Sequence, residues 1–202
     1  MNRGLVWIGI ATAFAPVACK KHDKADGATK TAPSTAPAPA IDLAAVNALV
    51  PASLKDKLVF EQRDLVEERG KGKTTYTLAA PKGWAQTNKM FTKVKPVDDL
   101  GFMTSFDVGS NCDGDCVAKD WKATSDKVNF EQFRSRKIEK DEAGKTDHMM
   151  ISSDGDTRFV MYAWWTEGSK HYFTCMASLE KPVADAAPAF EKACRAVSVV
   201  DN

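Results

Sequence analysis

The chain has 202 residues, of which 44% are hydrophobic and 27% are charged, and its formal net charge at pH 7 is +1. Its basic residues do not gather into a stripe that could neutralise phosphates, which argues against nucleic acid as a partner. The uncharged segment 4–19 has 16 residues, fewer than the roughly 20 that a membrane-spanning helix requires.

The N-terminus has the three parts of a bacterial secretion signal. Arg3 supplies the charged start, residues 4–15 form the apolar middle, and segment 16–19 reads Pro-Val-Ala-Cys. This segment is typical of a lipobox, and it predicts that Cys19 is the acylated first residue of the mature protein, carrying palmitate-like chains. Pro16 stands where such signals usually carry leucine, and simple secretion is the alternative interpretation.

Three segments follow from the lipobox: a signal peptide at 1–18, a lipidated cysteine with a disordered tether at 19–40, and a single globular α/β domain at 41–202. The tether is rich in Ala, Thr and Pro and has no large apolar side chain with which to form a core. A diacylglycerol and an acyl chain on one cysteine are two anchors, which suffice for stable membrane attachment. Lys20 after the cysteine favours the outer membrane, facing the periplasm or the cell surface.

The first half of the domain, whose net charge as a whole is near −2, is predicted to begin with a helix and continue as strands. Asp42 is expected to cap a helix over residues 43–49. Alternating apolar residues predict strands at 58–67, 74–80, 90–94 and 102–108, with a turn at 81–84. A longer helix is expected to begin near Cys116 and to run through Trp121 towards Phe133.

The second half is predicted to be a series of hairpins that ends in a helix. Strands are expected at 136–142, 147–152, 158–166 and 171–179, with turns at Gly144, Gly155 and Gly168. Segment 159–165 is apolar on both faces, so its strand should be central and covered on both sides. Asp185 is the expected N-cap of the last helix, and Pro188 lies in its first turn.

Four cysteines remain in the domain, and an even number outside the cytoplasm predicts disulfides. Three pairings are possible, and we favour Cys112 with Cys116, which closes a small loop, and Cys175 with Cys194, which joins a strand to the last helix. The functional alternative for Cys112 and Cys116 is a redox pair. Redox pairs, however, favour two intervening residues and a helix N-terminus.

A family resemblance rests on two parts of the chain. A strand is followed by Pro-Lys-Gly-Trp at 81–84, and the ending combines Tyr-Phe-Thr-Cys at 172–175 with Phe-Glu-Lys-Ala-Cys-Arg-Ala-Val at 190–197. Over residues 55–200 the chain resembles the PsbP-like α/β sandwich of several small bacterial lipoproteins. The resemblance implies a mainly antiparallel sheet flanked by helices, and a family of binding or accessory modules. It implies no catalytic residue.

Other chemistry finds little support in the pattern of residues. His148 and His171 have no short-range ligand partner, so surface or hydrogen-bonded histidines are expected rather than a zinc site. A calcium loop could use the oxygen atoms of Asp107, Asn111, Asp113 and Asp115. That run lacks the EF-hand spacing, and no Gly-x-Ser-x-Gly nucleophile elbow is present. We therefore expect no metal, cofactor or catalytic residue.

Tryptophan is the more informative residue type for a binding surface. The candidates for such a surface are Trp84, Trp121, Trp164 and Trp165. Adjacent residues on a strand face opposite sides of the sheet, so an exposed Trp164 or Trp165 would mark a partner or ligand patch. The alternative is that both faces are buried.

The function expected from these features is that of a membrane-anchored envelope lipoprotein. Its domain would act as a non-enzymatic binding or accessory module for an envelope protein or a small ligand. The alternative is an extracytoplasmic hydrolase or thiol redox protein that uses Cys112 and Cys116, or a site that the sequence does not reveal.

Overall fold

The computed structural model describes residues 40–201 except 70–71, 88–91, 98, 112–120, 122–134 and 167–170, and of Arg69 and Asp201 it describes only the backbone. The described residues belong to one compact unit, Pro37–Asn202. The predicted signal peptide, Cys19 and nearly all of the tether lie outside the described residues. Among the helices that the structure describes, none is long and apolar enough to cross a membrane.

The domain begins with helix α1, Leu43–Ala48, which is capped as predicted. The Asp42 carboxylate accepts a hydrogen bond from the amide of Ala45 at 2.9 Å, which satisfies one of the free donors of the first turn. The Asn47 side chain then joins the helix to the first strand. Its Oδ1 accepts from the Phe60 amide at 2.7 Å, and its Nδ2 donates to the Phe60 carbonyl at 2.9 Å.

A small antiparallel sheet follows, made of β1, Phe60–Arg69, and β2, Gly72–Pro81. The predicted turn after β2 is present, because the Trp84 amide donates to the Pro81 carbonyl at 3.4 Å and Gly83 has a φ of +78°. Such a φ is readily adopted by glycine alone.

A second antiparallel sheet has seven strands in the described residues. They are β3, Ala85–Gln86; β4, Val94–Lys95; β5, Ser105–Asn111; β6, Lys137–Ala143; β7, Asp147–Asp154; β8, Thr157–Trp165; and β9, Tyr172–Leu179. Their order is β3-β4-β5-β9-β8-β7-β6. The prediction that the apolar strand lies inside the sheet is confirmed, since β8 pairs with both β7 and β9.

Strand β5 begins three residues later than the alternation predicts. Residues 101–104 form a turn instead, in which the Thr104 amide donates to the Gly101 carbonyl at 3.1 Å. Phe102 at the tip of this turn is 86% exposed. An apolar residue at an alternating position was therefore mistaken for part of the strand.

The chain ends in helix α2, Ala187–Arg195, and β10, Ser198–Asp201, which joins the small sheet beside β2. Pro188 lies in the first turn as predicted. The prediction that Asp185 caps this helix is wrong, because a 3₁₀ turn, Ala184–Ala186, precedes the helix. The Asp185 carboxylate pairs instead with the Arg158 guanidinium at 3.1 Å.

The two sheets and both helices share one hydrophobic core. Phe190 of α2 lies at its centre, where its ring contacts Phe60, Trp84 and Phe106. A smaller cluster around Trp121 covers the other face of the seven-stranded sheet at β8. The mainly antiparallel architecture is thus as expected, but the helical cover in the described residues is small, with helices of six and nine residues.

Candidate ligand-binding site

A pocket of about 420 Å³ lies along one edge of strand β5. Strand β4 pairs with β5 only at Val94 and Phe106, so no described strand pairs with the rest of this edge of β5, whereas the opposite edge pairs with β9. Two backbone amides at this edge donate to side chains instead. Val108 donates to the Thr92 hydroxyl at 3.2 Å, and Ser110 donates to the Glu67 carboxylate at 3.3 Å.

Glu67 joins the two sheets at this pocket. It belongs to β1 of the small sheet, where only 3% of the residue is exposed. One carboxylate oxygen, Oε2, accepts from the Tyr76 hydroxyl at 2.7 Å and from the Ser110 hydroxyl at 3.1 Å, in addition to the Ser110 amide. Buried charge is tolerated only where it is hydrogen-bonded, and these donors hold the carboxylate in one position.

Asp107 and Asn111 line the same pocket from β5. Successive residues of a strand alternate between faces, so Asp107, Gly109 and Asn111 share a face that Phe106 and Val108 do not. Across the sheet, Asp107 is opposite Met176, and the Asn111 amide donates to the Thr174 hydroxyl at 3.0 Å. This part of the pocket is therefore a strand face with one carboxylate, one amide and an apolar thioether.

Asp107 is the most perturbed carboxyl group of the pocket. Burial raises its pKa from an ordinary value of 3.8 to about 6, and the positive charge of Lys93 lowers the pKa by a smaller amount. The Asp107 carboxylate forms no hydrogen bond or ion pair with any residue that the structure describes. Its charge therefore costs free energy in the folded state, and among the described residues only the nearby charge of Lys93 offsets part of that cost.

Lys93 lines the pocket with the opposite charge. Its ammonium is near enough to affect the pKa of Asp107, yet the two side chains do not form an ion pair, and Lys93 has no side-chain partner elsewhere in the described parts of the chain. The pocket thus contains two opposite charges that do not form an ion pair with each other.

Gly109 leaves space in the pocket. A Cβ atom added there would have Glu67 Oε1, at 3.8 Å, as its nearest heavy-atom neighbour, which is ordinary van der Waals contact. Gly109 does not have a positive φ. The position therefore accepts a small side chain without strain, and a large one would occupy the pocket.

A second pocket of about 420 Å³ lies near the start of β6, and its charges are already paired. Arg158 contacts Glu139 at 3.2 Å and Asp185 at 3.1 Å, and Lys181 contacts Asp156 at 3.1 Å. Because these side chains satisfy one another, a ligand would have to break ion pairs to use them. The β5 pocket is the better candidate site.

The tryptophans proposed as a binding surface are mostly internal. Trp84, Trp121 and Trp165 are buried. Trp164 is half-buried and stacks on Tyr162, with ring centroids 5.2 Å apart. Among the described residues, the most exposed of the large apolar side chains lie instead in and before the turn at 101–104, namely Val97, Phe102 and Met103. The sequence interpretation assigned two of these three to a strand or its edge and did not single out the group.

The predicted pairing of Cys175 with Cys194 is confirmed. Cys175 of β9 and Cys194 of α2 form a disulfide with a Cα–Cα distance of 5.4 Å. Cys112 and Cys116 lie outside the described residues, as do Asp113 and Asp115 of the calcium hypothesis. Asp107 and Asn111, the other two residues of that hypothesis, do line one pocket.

The two histidines of the domain are not brought into a metal site within the described ranges. His148 is buried, and its Nε2 lies 2.5 Å from the Asp141 carboxylate. His171 is half-buried beside β9. No group of three or more described His, Cys, Asp or Glu side chains is placed to hold a metal ion.

Replacing Asp107 by asparagine is expected to stabilise the protein at pH 7. The folded-state pKa of Asp107 is raised, so the folded protein binds the proton more tightly than the unfolded chain does, and stability falls as pH rises from about 4 to about 6. Asparagine removes this loss. The gain should be on the order of 2 kcal/mol above pH 6, since a tenfold change in an acid dissociation constant corresponds to about 1.4 kcal/mol.

Urea unfolding of wild type and Asp107→Asn between pH 3.5 and pH 8 (roughly the range over which the carboxyl titrates) measures this difference. The gain should be absent below about pH 4, where the carboxyl is protonated in both states. Asp56→Asn, at an exposed aspartate outside the pocket, is the matched control. Lys93 and Glu67, the other charged groups of the pocket, are unchanged in this variant, so a pH-dependent difference in stability comes from Asp107. A difference in the free energy of unfolding that is the same at all pH values would contradict the raised pKa of Asp107.

Comparison with known proteins adds no further information about the site. No protein-family model matches the chain, and no curated protein or solved structure is significantly similar to it.

Proposed function

We propose that this protein is a lipid-anchored lipoprotein of the bacterial cell envelope whose domain is a non-enzymatic binding module, with the β5 pocket as its ligand site. The observation that carries the proposal is the presence of Asp107 and Lys93 in one pocket without an ion pair between them. Charges that the fold leaves without partners are typical of a site that an external molecule completes.

Two further features support the cellular part of the proposal. The disulfide between Cys175 and Cys194 fits an oxidising compartment outside the cytoplasm. The segment ending at Cys19 fits a lipobox, and an acylated cysteine would hold the domain at a membrane. Two antiparallel sheets with a shared core are compatible with the PsbP-like sandwich, whose members mostly bind rather than catalyse.

The pocket favours a small ligand over a protein partner. Its volume of about 420 Å³ falls within the range of about 300–1,000 Å³ that is usual for small-molecule sites. Glu67 is held by Tyr76 and Ser110, so one wall of the pocket is formed before a ligand arrives. A preformed site loses less conformational freedom on binding.

Ligand capture from cells tests both parts of the proposal. The full-length protein is purified from the membrane fraction of cells grown with an alkyne-tagged palmitate, and the small molecules that it releases on denaturation are identified by mass spectrometry. Wild type should carry the tag and release a specific molecule, whereas Cys19→Ala should lose the tag and leave the membrane fraction.

Gly109→Phe is expected to fill the pocket and abolish release of the captured molecule while the lipid tag stays. Gly109→Ala is the matched control, because the added Cβ atom would lie 3.8 Å from Glu67 Oε1, its nearest neighbour, and would leave the pocket open. An untagged wild type would overturn the lipoprotein assignment. A captured molecule that Gly109→Phe retains, or no captured molecule at all, would overturn the pocket as the ligand site.

A further inference from the structure

We infer that the β5 pocket recognises a small zwitterion, a molecule with an ammonium and a carboxylate such as an α-amino acid or a short peptide. Asp107 receives the ammonium group, and Lys93 receives the carboxylate. This inference rests on the proposed function as a binding module and adds the chemical class of the ligand.

The first step of the argument is that the two charges have no partner in the described residues. Elsewhere in the described domain, several opposite charges that share a surface pair directly, as Arg158 does with Glu139 and Lys181 with Asp156. Asp107 and Lys93 line one pocket and influence each other, yet they stay apart. A ligand with two opposite charges can pair with both side chains without requiring them to meet.

The second step concerns the sign of the pocket. Glu67 and Asp107 are acidic and Lys93 is basic, so the three charged side chains sum to a negative pocket. A simple anion is disfavoured, because it would lie near two carboxylates in a region where burial already penalises negative charge. A simple cation would pair with Asp107 but would be repelled by the nearby ammonium of Lys93. A zwitterion satisfies Asp107 and Lys93 together.

The third step concerns the uncharged lining. Met176 supplies apolar surface, Gly109 leaves open space, and Asn111 adds a polar amide. A ligand with charged groups at one end and an apolar side chain at the other would use both kinds of surface. Because apolar lining with a few placed polar groups is the usual composition of a small-molecule site, an amino acid or dipeptide with an apolar side chain fits better than glycine.

Saturation-transfer NMR with defined probes tests the inference on the full-length protein. The probes are mixtures of the common L-amino acids and L-alanyl-L-alanine, at up to about 10 mM, which detects ligands with a Kd of about 1 mM. Each binder is then compared with its N-acetyl derivative, which lacks the ammonium, and with its amide, which lacks the carboxylate. We expect at least one zwitterion to bind, and both derivatives to bind about tenfold or more weakly.

Variants locate the two charges. Asp107→Asn and Lys93→Gln should each weaken binding of that zwitterion by about tenfold or more. Asp56→Asn and Lys181→Gln, at exposed positions outside the pocket, should leave binding unchanged. Thermal unfolding of each variant checks that the protein is folded, and Asp107→Asn is expected to be at least as stable as wild type.

Three results would overturn the inference. The first is that no probe binds; the second is that a blocked derivative binds as tightly as its parent; the third is that the Asp107 and Lys93 variants bind normally. If wild type still captures a molecule that Gly109→Phe does not capture, then the pocket is a binding site and only the ligand class is wrong. If capture also fails, the proposed function fails with it.

Discussion

Replacing Phe190 by alanine is expected to lower the free energy of unfolding by about 3–5 kcal/mol, the range typical of large-to-small aromatic substitutions in a core. Phe190 is 0% exposed, and its ring centroid lies 5.0 Å from that of Phe60, 5.9 Å from that of Trp84 and 5.3 Å from that of Phe106. The substitution would therefore leave a cavity at the point where both sheets and α2 meet. Equilibrium unfolding in urea measures the effect.

The matched control for this prediction is Phe102→Ala. Phe102 is 86% exposed, and its ring contacts the Lys95 ammonium at 5.2 Å. Surface substitutions usually change stability by less than about 0.5 kcal/mol, and loss of an exposed cation–π contact adds about 0.5–1 kcal/mol. If the two variants were equally unstable, Phe190 would not be the centre of the core.

Removing the Cys175–Cys194 disulfide is expected to cost about 3 kcal/mol, the chain-entropy value for a loop of similar size. The two cysteines lie 19 positions apart in the sequence and are fully buried, and the bond joins β9 to α2. Cys175→Ala with Cys194→Ala removes the crosslink and also small amounts of buried volume. Thermal or urea unfolding of the oxidised proteins gives the difference.

Reduction supplies an independent control for the disulfide. Wild type with excess reductant should lose a comparable amount of stability, because the same crosslink is broken. Adding reductant to the double variant gives the change in stability that comes from the remaining cysteines alone. A double variant as stable as oxidised wild type would show that α2 is held in place by packing around Phe190 rather than by the disulfide.

The positions of most strands along the chain could be predicted from the sequence. The strands from β6 to β9 were predicted because Gly144 and Gly155 mark turns between segments of strand length. The central position of β8 followed from apolar residues on both of its faces. Strands β3 and β10 were missed because they have two and four residues, too few for a period to be recognised.

Errors at the ends of elements have specific structural causes. Asp185 has the residue type of a helix cap, but the backbone forms a 3₁₀ turn there and Arg158 pairs with its carboxylate. A long-range ion pair of this kind cannot be read from neighbouring residues. Phe102 suggested an earlier start for β5, but the Gly101 carbonyl accepts from the Thr104 amide and closes a turn.

The candidate site was the least predictable part of the protein. Its charged residues come from three separate parts of the chain, since Glu67 lies in β1, Lys93 just before β4 and Asp107 in β5. No short motif contains all three. One signal was present, because Glu67 occupies an alternating position of β1 that Leu65 shares on the buried side, and a buried acid in a strand needs a polar partner.

The sequence by itself determined the local features, which include the hairpins, the capped first helix, the apolar central strand and cysteines even in number, which predict disulfides. These properties depend on residues close together in the chain or on residue type alone. Only the tertiary structure decided which strands share a sheet, that Cys175 meets Cys194, and that Asp107 and Lys93 face one pocket without an ion pair. Distances between remote residues depend on how the two sheets pack, and that packing has no local pattern.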